Sequence, residues 1–266
     1  MMDAMDRKQY WNRAYLEYWK RRVDESASAG RESTVVAGDV KTEGDEVYEM
    51  IFSRHPPHLG SVLDVGCAWG RMFRVFKTMD LRITGIDISK AMIDQATADW
   101  GKDPSVDGLY EGEAESMPFR ENLFDNVACL AVFDALYQDR ALAEFFRVLR
   151  MDGLLYLTGK NDTYPMDDDP AIRAEAGARA KHHPNYFTDT AEMLRQIREH
   201  GHMVLATYFF PRRGDFGRLH AVTGMPDAFY EYFVVIQKKA QHGLFQPFSD
   251  SASKTFLRLP QSDSRV

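Results

Sequence analysis

The sequence contains only two cysteines, Cys67 and Cys129, among its 266 residues. Two cysteines are too few for the disulfide framework of a small secreted domain, and their spacing matches no metal-binding motif. Each lies at the end of a predicted buried strand. We therefore expect no metal site and a protein that works in the reducing cytoplasm.

Long apolar runs and an excess of positive charge are also missing. Nowhere do 18 apolar residues follow one another, and no apolar segment follows the charged N-terminal residues, so neither a membrane span nor a signal peptide is predicted. The 33 basic and 40 acidic residues give a net charge of −7, which disfavours a nucleic-acid or anionic-membrane surface. The expected partner is a small molecule, with neither nucleic acid nor membrane involved.

The hydrophobic content of 44% is enough to build one substantial core, and no change in composition divides the chain. We expect the main domain to cover residues 45–239. Residues 1–44 should form an N-terminal helical cap and a loop, and residues 240–266 a polar, loosely held tail.

Residues 5–23 carry aromatic and basic residues at helical spacing, which predicts an amphipathic helix. Its aromatic face fits two roles. The favoured one is to cover the core while the basic face is solvated, and the other is to close over a ligand site as a lid. Residues 24–40 are predicted to form a loop. A second helix is predicted from about 45 to 54 and should end before Pro56.

A glycine-bounded apolar stretch, residues 62–65, predicts a short buried strand, and a helix follows from Met72. The chain must turn between them across Gly66 and Gly70. Such a turn points free backbone N–H groups into a crevice at the carboxyl end of the strand, which suits a nucleotide-like ligand. A glycine pair at this position is also compatible with tight packing alone.

Asp87 ends the second predicted strand, 81–87, and lies 21 residues beyond Gly66. A carboxylate in this place is suited to bind the two hydroxyls of a ribose. Ser89 is the expected N-cap of the next helix, so that Asp87 is not needed for capping.

Strands near Leu109, at 124–133 and at 154–158 alternate with helices, which predicts an α/β fold with a right-handed, doubly wound parallel sheet. The last two strands, 203–210 and 229–236, have no helix between them and should pair as an antiparallel hairpin. The insertion at 160–187 should shape a substrate pocket.

Five motifs in this order resemble those of class I S-adenosylmethionine-dependent methyltransferases, especially the branch that acts on small molecules. They are VLDVGCAWG at 62–70, GIDIS at 85–89, GEAESMPF at 112–119, FDNV at 124–127 and EFFRVLRMDGLL at 144–155. The resemblance covers about residues 45–239. It implies a Rossmann-like sheet of seven mostly parallel strands with an antiparallel last strand.

The resemblance also implies which residues bind S-adenosylmethionine and, after transfer, S-adenosylhomocysteine. Asp64 would face the amino group, and Asp87 the ribose hydroxyls. The other expected cofactor residues are Gly66, Cys67, Ala68 and Gly70 at the methionine and ribose, Ile88 and Met92 at the adenine, Glu113 and Ala114 at the adenine edge, and Leu130 and Ala131 beside the methionine. Ala68 stands where the family usually has glycine, so we expect a weaker or slightly shifted cofactor contact there.

The expected reaction is an in-line displacement that moves a methyl group to an oxygen or nitrogen of a small molecule. For a hydroxyl acceptor a general base with a pKa near neutrality would help, and His183 in the insertion is the candidate, with His182 and His220 as alternatives. Two other functions stay open. One is a nicotinamide-dependent oxidoreductase, and the other is a non-catalytic module that binds S-adenosylmethionine.

Overall fold

The structure is a computed structural model that describes residues 4–12, 45–241 and 243–259. In chain order its elements are α1 (Ala4–Tyr10), α2 (Asp45–Arg54), β1 (Ser61–Val65), α3 (Phe73–Thr78), β2 (Arg82–Asp87), α4 (Lys90–Trp100), β3 (Val106–Glu111), β4 (Phe124–Cys129), a 3₁₀ turn (Phe133–Ala135), α5 (Gln138–Val148), β5 (Leu149–Lys160), α6 (Asp169–Ala180), β6 (Phe187–Thr188), α7 (Thr190–Glu199), β7 (Met203–Phe210), β8 (Glu231–Gln237), β9 (Ser249–Asp250) and α8 (Lys254–Leu257). No helix within these ranges is long and apolar enough to cross a membrane.

Seven strands form one sheet in the order β3-β2-β1-β4-β5-β8-β7. The first five strands of this order are parallel, and β8 lies antiparallel to both β5 and β7. The predicted doubly wound sheet with an antiparallel last strand is therefore confirmed. Its carboxyl-end edge gathers the loops that follow β1, β2, β4 and β5 on one side of the molecule.

The sheet is buried on both faces by amphipathic helices. On one face α5 contributes Leu142, Phe145 and Phe146 to a core that also contains α7. On the other face α2 contributes Tyr48 and Phe52 and packs with α3. Each fully buried side chain of this size stabilises the fold by roughly 1.5–3 kcal/mol, so these stripes hold the strand ends in place.

Helix α4 starts at its predicted cap, where the hydroxyl of Ser89 accepts a hydrogen bond from the backbone N–H of Met92. At the start of α7, the side chain of Asp189 accepts one from the backbone N–H of Glu192. One boundary differs, because β5 begins at Leu149 directly after α5 instead of after a turn at 151–153. The turn is still present as a bulge inside the strand, where the register to β4 shifts and Asp152 has a φ of 64°.

The N-terminal helix differs from its expected form. The structure describes α1 and the two residues after it, and the remainder of the predicted helix and the loop at 24–40 lie outside the described residues. The expectation that the basic face is solvated is wrong at Arg7, which is only 1% exposed. Its guanidinium faces the carboxylates of Glu113 and Glu115, which compensate the burial of the charge.

The prediction of a loosely held tail is wrong for residues 243–259. Phe245 and Phe248 are buried in the core beside α5, and β9 pairs with β6. Further on, the N–H and hydroxyl of Ser253 both donate to the buried carboxylate of Glu175 in α6. Two buried aromatic side chains and the hydrogen bonds from Ser253 to Glu175 therefore hold a segment whose composition is mostly polar.

Candidate functional site

Two adjoining cavities open at the carboxyl ends of the parallel strands. The first cavity, of about 260 Å³, lies between α1 and the ends of β1 and β2. The second cavity, of about 500 Å³, lies between the ends of β1, β4, β5 and β8. Six residues line both and form what we call the junction: Gly66, Ala68, Ala131, Val132, Asp134 and Lys160.

The junction is built from strained backbone. Ala68 and Ala131 have φ values of 48° and 58°, in the left-handed region that usually costs a residue with a Cβ about 1–2 kcal/mol. Ala68 is held there because its N–H donates a 3.0 Å hydrogen bond to the carboxylate of Asp87. The departure from glycine at Ala68 thus leaves the loop in the glycine conformation, with a methyl group at the junction.

Asp87 lines the first cavity, at the end of β2. Its two carboxylate oxygens accept hydrogen bonds from the N–H groups of Ala68 and Ser89, at 3.0 and 2.8 Å. Burial raises the pKa of Asp87 to about 6, although both hydrogen bonds act in the opposite direction. Because a carboxylate accepts about four hydrogen bonds, the side chain keeps capacity for two hydroxyl donors.

Asp64 lines the second cavity and is almost completely buried in β1. Its Oδ2 atom has no hydrogen-bond partner among the described residues. Burial, and secondly the charge of Asp87, raise the pKa of Asp64 to about 7, while the charge of Arg71 lowers it. A buried carboxylate oxygen without a donor is a position that a ligand N–H can fill.

The remaining expected cofactor residues divide between the cavities. Ile88, Met92 and Ala114 line the first cavity only, and Cys67 and Leu130 line the second only.

Gly70 and Glu113 line neither cavity. A Cβ at Gly70 would come within 2.8 Å of Phe73 and Trp100, so this glycine allows close packing of α3 and α4. The carboxylate of Glu113 lies 3.5 Å from the guanidinium of Arg7. The structure thus gives both residues a packing or pairing role outside the cavities.

His183 lines the first cavity beside α1. Its Nδ1 lies 2.6 Å from the hydroxyl of Tyr10, and its ring packs edge-on against Trp11. Burial lowers the pKa of His183 to about 4, with the charge of Asp134 acting against this shift, so the ring is neutral at pH 7 and a weaker base than an exposed histidine. The alternatives, His182 and His220, line neither cavity.

Helix α1 covers the first cavity. Arg7 and Trp11 line it, and Arg7 donates two hydrogen bonds to Glu115, at 2.5 and 2.9 Å. Beside them the side-chain oxygen of Asn12 lies 3.3 Å from the hydroxyl of Ser89. Sequence reasoning did not assign Arg7 to the site. The sequence pointed to it only indirectly, through the alternative that the helix at residues 5–23 closes over a ligand site.

A charged group at the junction was also missed. Lys160 ends β5, and its ammonium lies 2.5 Å from the carboxylate of Asp134. Burial alone would favour the neutral amine, but the charge of Asp134 raises the pKa of Lys160. Glu231 begins β8 directly opposite Lys160 and lines the second cavity. In the sequence, this group was indicated by a charged residue, Lys160, at the end of a predicted apolar strand.

The comparisons with known proteins agree with this architecture. Residues 63–157 match a family model described as a methyltransferase domain. The O-methyltransferase cnsE of Penicillium expansum is 28% identical over 134 residues, which are 48% of this chain and 49% of that protein. The malonyl-[acyl-carrier protein] O-methyltransferase of Pectobacterium atrosepticum is 28% identical over 111 residues, 40% of this chain and 42% of that protein.

The chain spans about half the length or less of these curated relatives. Among solved structures, the YcgJ protein of Bacillus subtilis has a TM-score of 0.53 at 18% identity, covers 74% of this chain and is itself covered to 99%. That likeness shows the fold. Residues 63–157 are thus similar to a methyltransferase domain, and the relatives that match part of the chain carry methyltransferase names.

Proposed function

We propose that this protein transfers a methyl group from S-adenosylmethionine to an oxygen or nitrogen of a small molecule. The single observation that carries the proposal is the buried carboxylate oxygen of Asp64 without a donor, in the cavity that adjoins the one lined by Asp87. An amino acid ammonium group supplies the donors that Asp64 lacks, and a ribose supplies hydroxyls for Asp87.

The other residues fit the same ligand. Ile88 and Met92 offer apolar surface to an adenine in the first cavity, and Leu130 offers it to the methionine chain in the second. Arg71 lines the second cavity with Asp64, so cationic and anionic side chains face the two charged ends of an amino acid. When bound, S-adenosylmethionine supplies an electrophilic methyl group on a positively charged sulfur.

The protein's own contribution is positioning and shielding. The Asp87 and Asp64 carboxylates hold the ribose and the amino group of the ligand, and Arg7 and Trp11 line one wall of the first cavity. His183, the candidate base from the sequence, lines the cavity that reaches the junction, but its lowered pKa of about 4 makes it a weaker base than the near-neutral one expected for a hydroxyl acceptor.

An oxygen acceptor is favoured by the relatives, because both of those described above carry the name O-methyltransferase. The oxidoreductase alternative loses support, since the family match covers the glycine turn and Asp87 together. The alternative of a non-catalytic binding module is distinguished by experiment.

The test is calorimetry with S-adenosylhomocysteine and with NADH, followed by a transfer assay with radiolabelled S-adenosylmethionine on a panel of phenols, alcohols and amines. We expect micromolar binding of S-adenosylhomocysteine, no binding of NADH and label in at least one acceptor. Failure to bind S-adenosylhomocysteine would disprove the proposal. Binding without transfer to any acceptor would support the binding module instead.

A further inference from the structure

Glu231 and Lys160 are direct cross-strand partners, the first residue of β8 and the last residue of β5. The side chains of such partners project from the same face, with Cβ atoms about 4.5–5.5 Å apart. Both residues line the second cavity, and Lys160 belongs to the junction. The carboxylate of Glu231 therefore lies next to the place where the two cavities meet.

Lys160 is already engaged by other partners. Its ammonium binds the carboxylate of Asp134 at 2.5 Å and the side-chain oxygen of Asn185 at 3.1 Å. No residue within the described ranges donates a hydrogen bond to the carboxylate of Glu231. A partly buried carboxylate with free acceptor positions, facing a cavity, is placed to receive a donor from a ligand.

The environment of Glu231 also suits proton uptake. Burial raises its pKa to about 7, while the charges of Lys160 and Arg213 lower it. A carboxylate with a pKa near neutrality is ionised in part at pH 7 and holds an accepted proton well.

The distribution of the cofactor residues indicates what lies at the junction. Asp87 and Ile88, on the adenosine side, line only the first cavity, whereas Asp64 and Leu130, on the methionine side, line only the second. The sulfur joins these two parts of the cofactor. If the proposed function holds, the transferable methyl group is presented at the junction.

We propose that Glu231 faces the transferable methyl group and binds the acceptor through an acceptor O–H or N–H. The acceptor atom forms a bond to the methyl carbon as the bond from that carbon to sulfur breaks, and the proton that the acceptor loses passes to the Glu231 carboxylate. The acceptor class is then a hydroxyl or an amine.

This inference rests on the proposed function, and its test needs no knowledge of the acceptor. Sinefungin is an analogue of the cofactor in which a carbon bearing an amine replaces the methyl-sulfonium unit, whereas S-adenosylhomocysteine has a thioether sulfur there and no methyl group. The ratio of their dissociation constants isolates the contact at the methyl position, because both ligands share every other part. We expect Glu231→Gln to weaken sinefungin binding by about 10- to 100-fold and to leave S-adenosylhomocysteine binding within twofold of wild type.

Three further variants complete the experiment. Glu199→Gln, on the exposed surface of α7, is the matched control and should leave both constants unchanged. Glu231→Asp keeps the charge on a shorter side chain and should weaken sinefungin binding less than Glu231→Gln. His183→Gln tests the other candidate base in the same way. We expect the ratio of the sinefungin and S-adenosylhomocysteine dissociation constants to stay at the wild-type value in this variant.

Each other outcome overturns the inference in a distinct way. An unchanged ratio in Glu231→Gln removes this residue from the methyl position, and a changed ratio only in His183→Gln assigns that position to the histidine. Loss of S-adenosylhomocysteine binding in both Glu231 variants, with circular dichroism unchanged, would give Glu231 a role in the cofactor pocket itself. If the wild-type protein binds neither ligand, the proposed function fails as well.

Discussion

The guanidinium of Arg7 donates two hydrogen bonds, of 2.5 and 2.9 Å, to the carboxylate of Glu115, which lies 108 positions further along the chain. Both side chains are nearly inaccessible to solvent. This pair fixes α1 beside the first cavity, so we expect its loss to ease the exit of a ligand from that cavity.

Arg7→Ala should therefore speed the release of bound S-adenosylhomocysteine. The lost charged hydrogen bonds are worth about 1.5–3 kcal/mol, which corresponds to a roughly 10- to 150-fold faster dissociation rate. Stopped-flow fluorescence of Trp11, which lines the same cavity, provides the measurement.

Lys8→Ala is the control for this prediction, because Lys8 lies on the same helix and pairs with Glu111 at the surface. Exposed pairs contribute about 0–1 kcal/mol, so its dissociation rate should stay close to wild type. Equal rates in Arg7→Ala and wild type would show that α1 does not limit ligand release.

Asp87→Ala should lower the affinity for S-adenosylhomocysteine by about 1–3 kcal/mol through loss of hydrogen bonds to the ribose. The substitution also frees the N–H groups of Ala68 and Ser89, so affinity alone does not isolate the ribose contact. The sharper measurement compares adenosine with 2′,3′-dideoxyadenosine by calorimetry, in wild type and variant. Wild type should prefer adenosine, and Asp87→Ala should bind both equally.

In that comparison Asp87→Asn serves as the matched variant, because its side-chain oxygen still accepts a hydrogen bond from the backbone N–H of Ala68 or Ser89. A preference for adenosine that survives in Asp87→Ala would remove Asp87 from the ribose role.

Asp64→Asn should change stability and ligand binding in opposite directions. The pKa of Asp64 is raised on folding from an ordinary value of 3.8 to about 7, so the folded state holds this proton more tightly than the unfolded state. The stability that this gives is complete below about pH 4 and is lost as the pH rises through 7. At pH 8, without ligand, the variant should be about 1–3 kcal/mol more stable in urea unfolding.

With ligand, the ionised carboxylate of Asp64 is the form that binds the ammonium group. The affinity of wild type for S-adenosylhomocysteine should therefore rise between pH 6 and pH 8, and Asp64→Asn should bind weakly with little pH dependence. Asp125→Asn gives the opposite sign for stability, because hydrogen bonds from Ser61 and Arg150 lower the pKa of Asp125 despite its partial burial. A variant at Asp64 that binds the ligand as wild type does would refute the ammonium contact.

Glu175→Gln should destabilise the folded protein by about 3 kcal/mol. The buried carboxylate accepts hydrogen bonds from the hydroxyl of Tyr164 and from both the N–H and the hydroxyl of Ser253. An amide replaces one acceptor oxygen with a donor, which leaves at least one of these groups buried without a partner. Urea unfolding measures the loss, and Glu199→Gln on the exposed face of α7 should show little change.

The alternation of strands and helices and the cap at Ser89 were predictable because they depend on neighbouring residues. The position of Asp87 was predictable for the same reason, since strand length and turn place it. The burial of Arg7 was not, because it depends on a carboxylate that reaches it only after the sheet has formed.

Glu231 and Lys160 show the same limit at the site. Each is a single charged residue at a strand end in the sequence, and only the antiparallel pairing of β5 with β8 brings them together. The mostly polar composition of the tail did not predict the burial of Phe245 and Phe248. Two aromatic side chains are enough to dock a segment once a core is available.

The attachment of Ser253 to Glu175 has a consequence for biosynthesis. Glu175 belongs to the helix that leads into His183 and Asn185, yet two of its three hydrogen bonds come from a residue 78 positions later. While the ribosome is still translating that later segment, the helix lacks its anchor. The wall of the cleft that carries His183 thus reaches its final shape only after residue 253 has been synthesised.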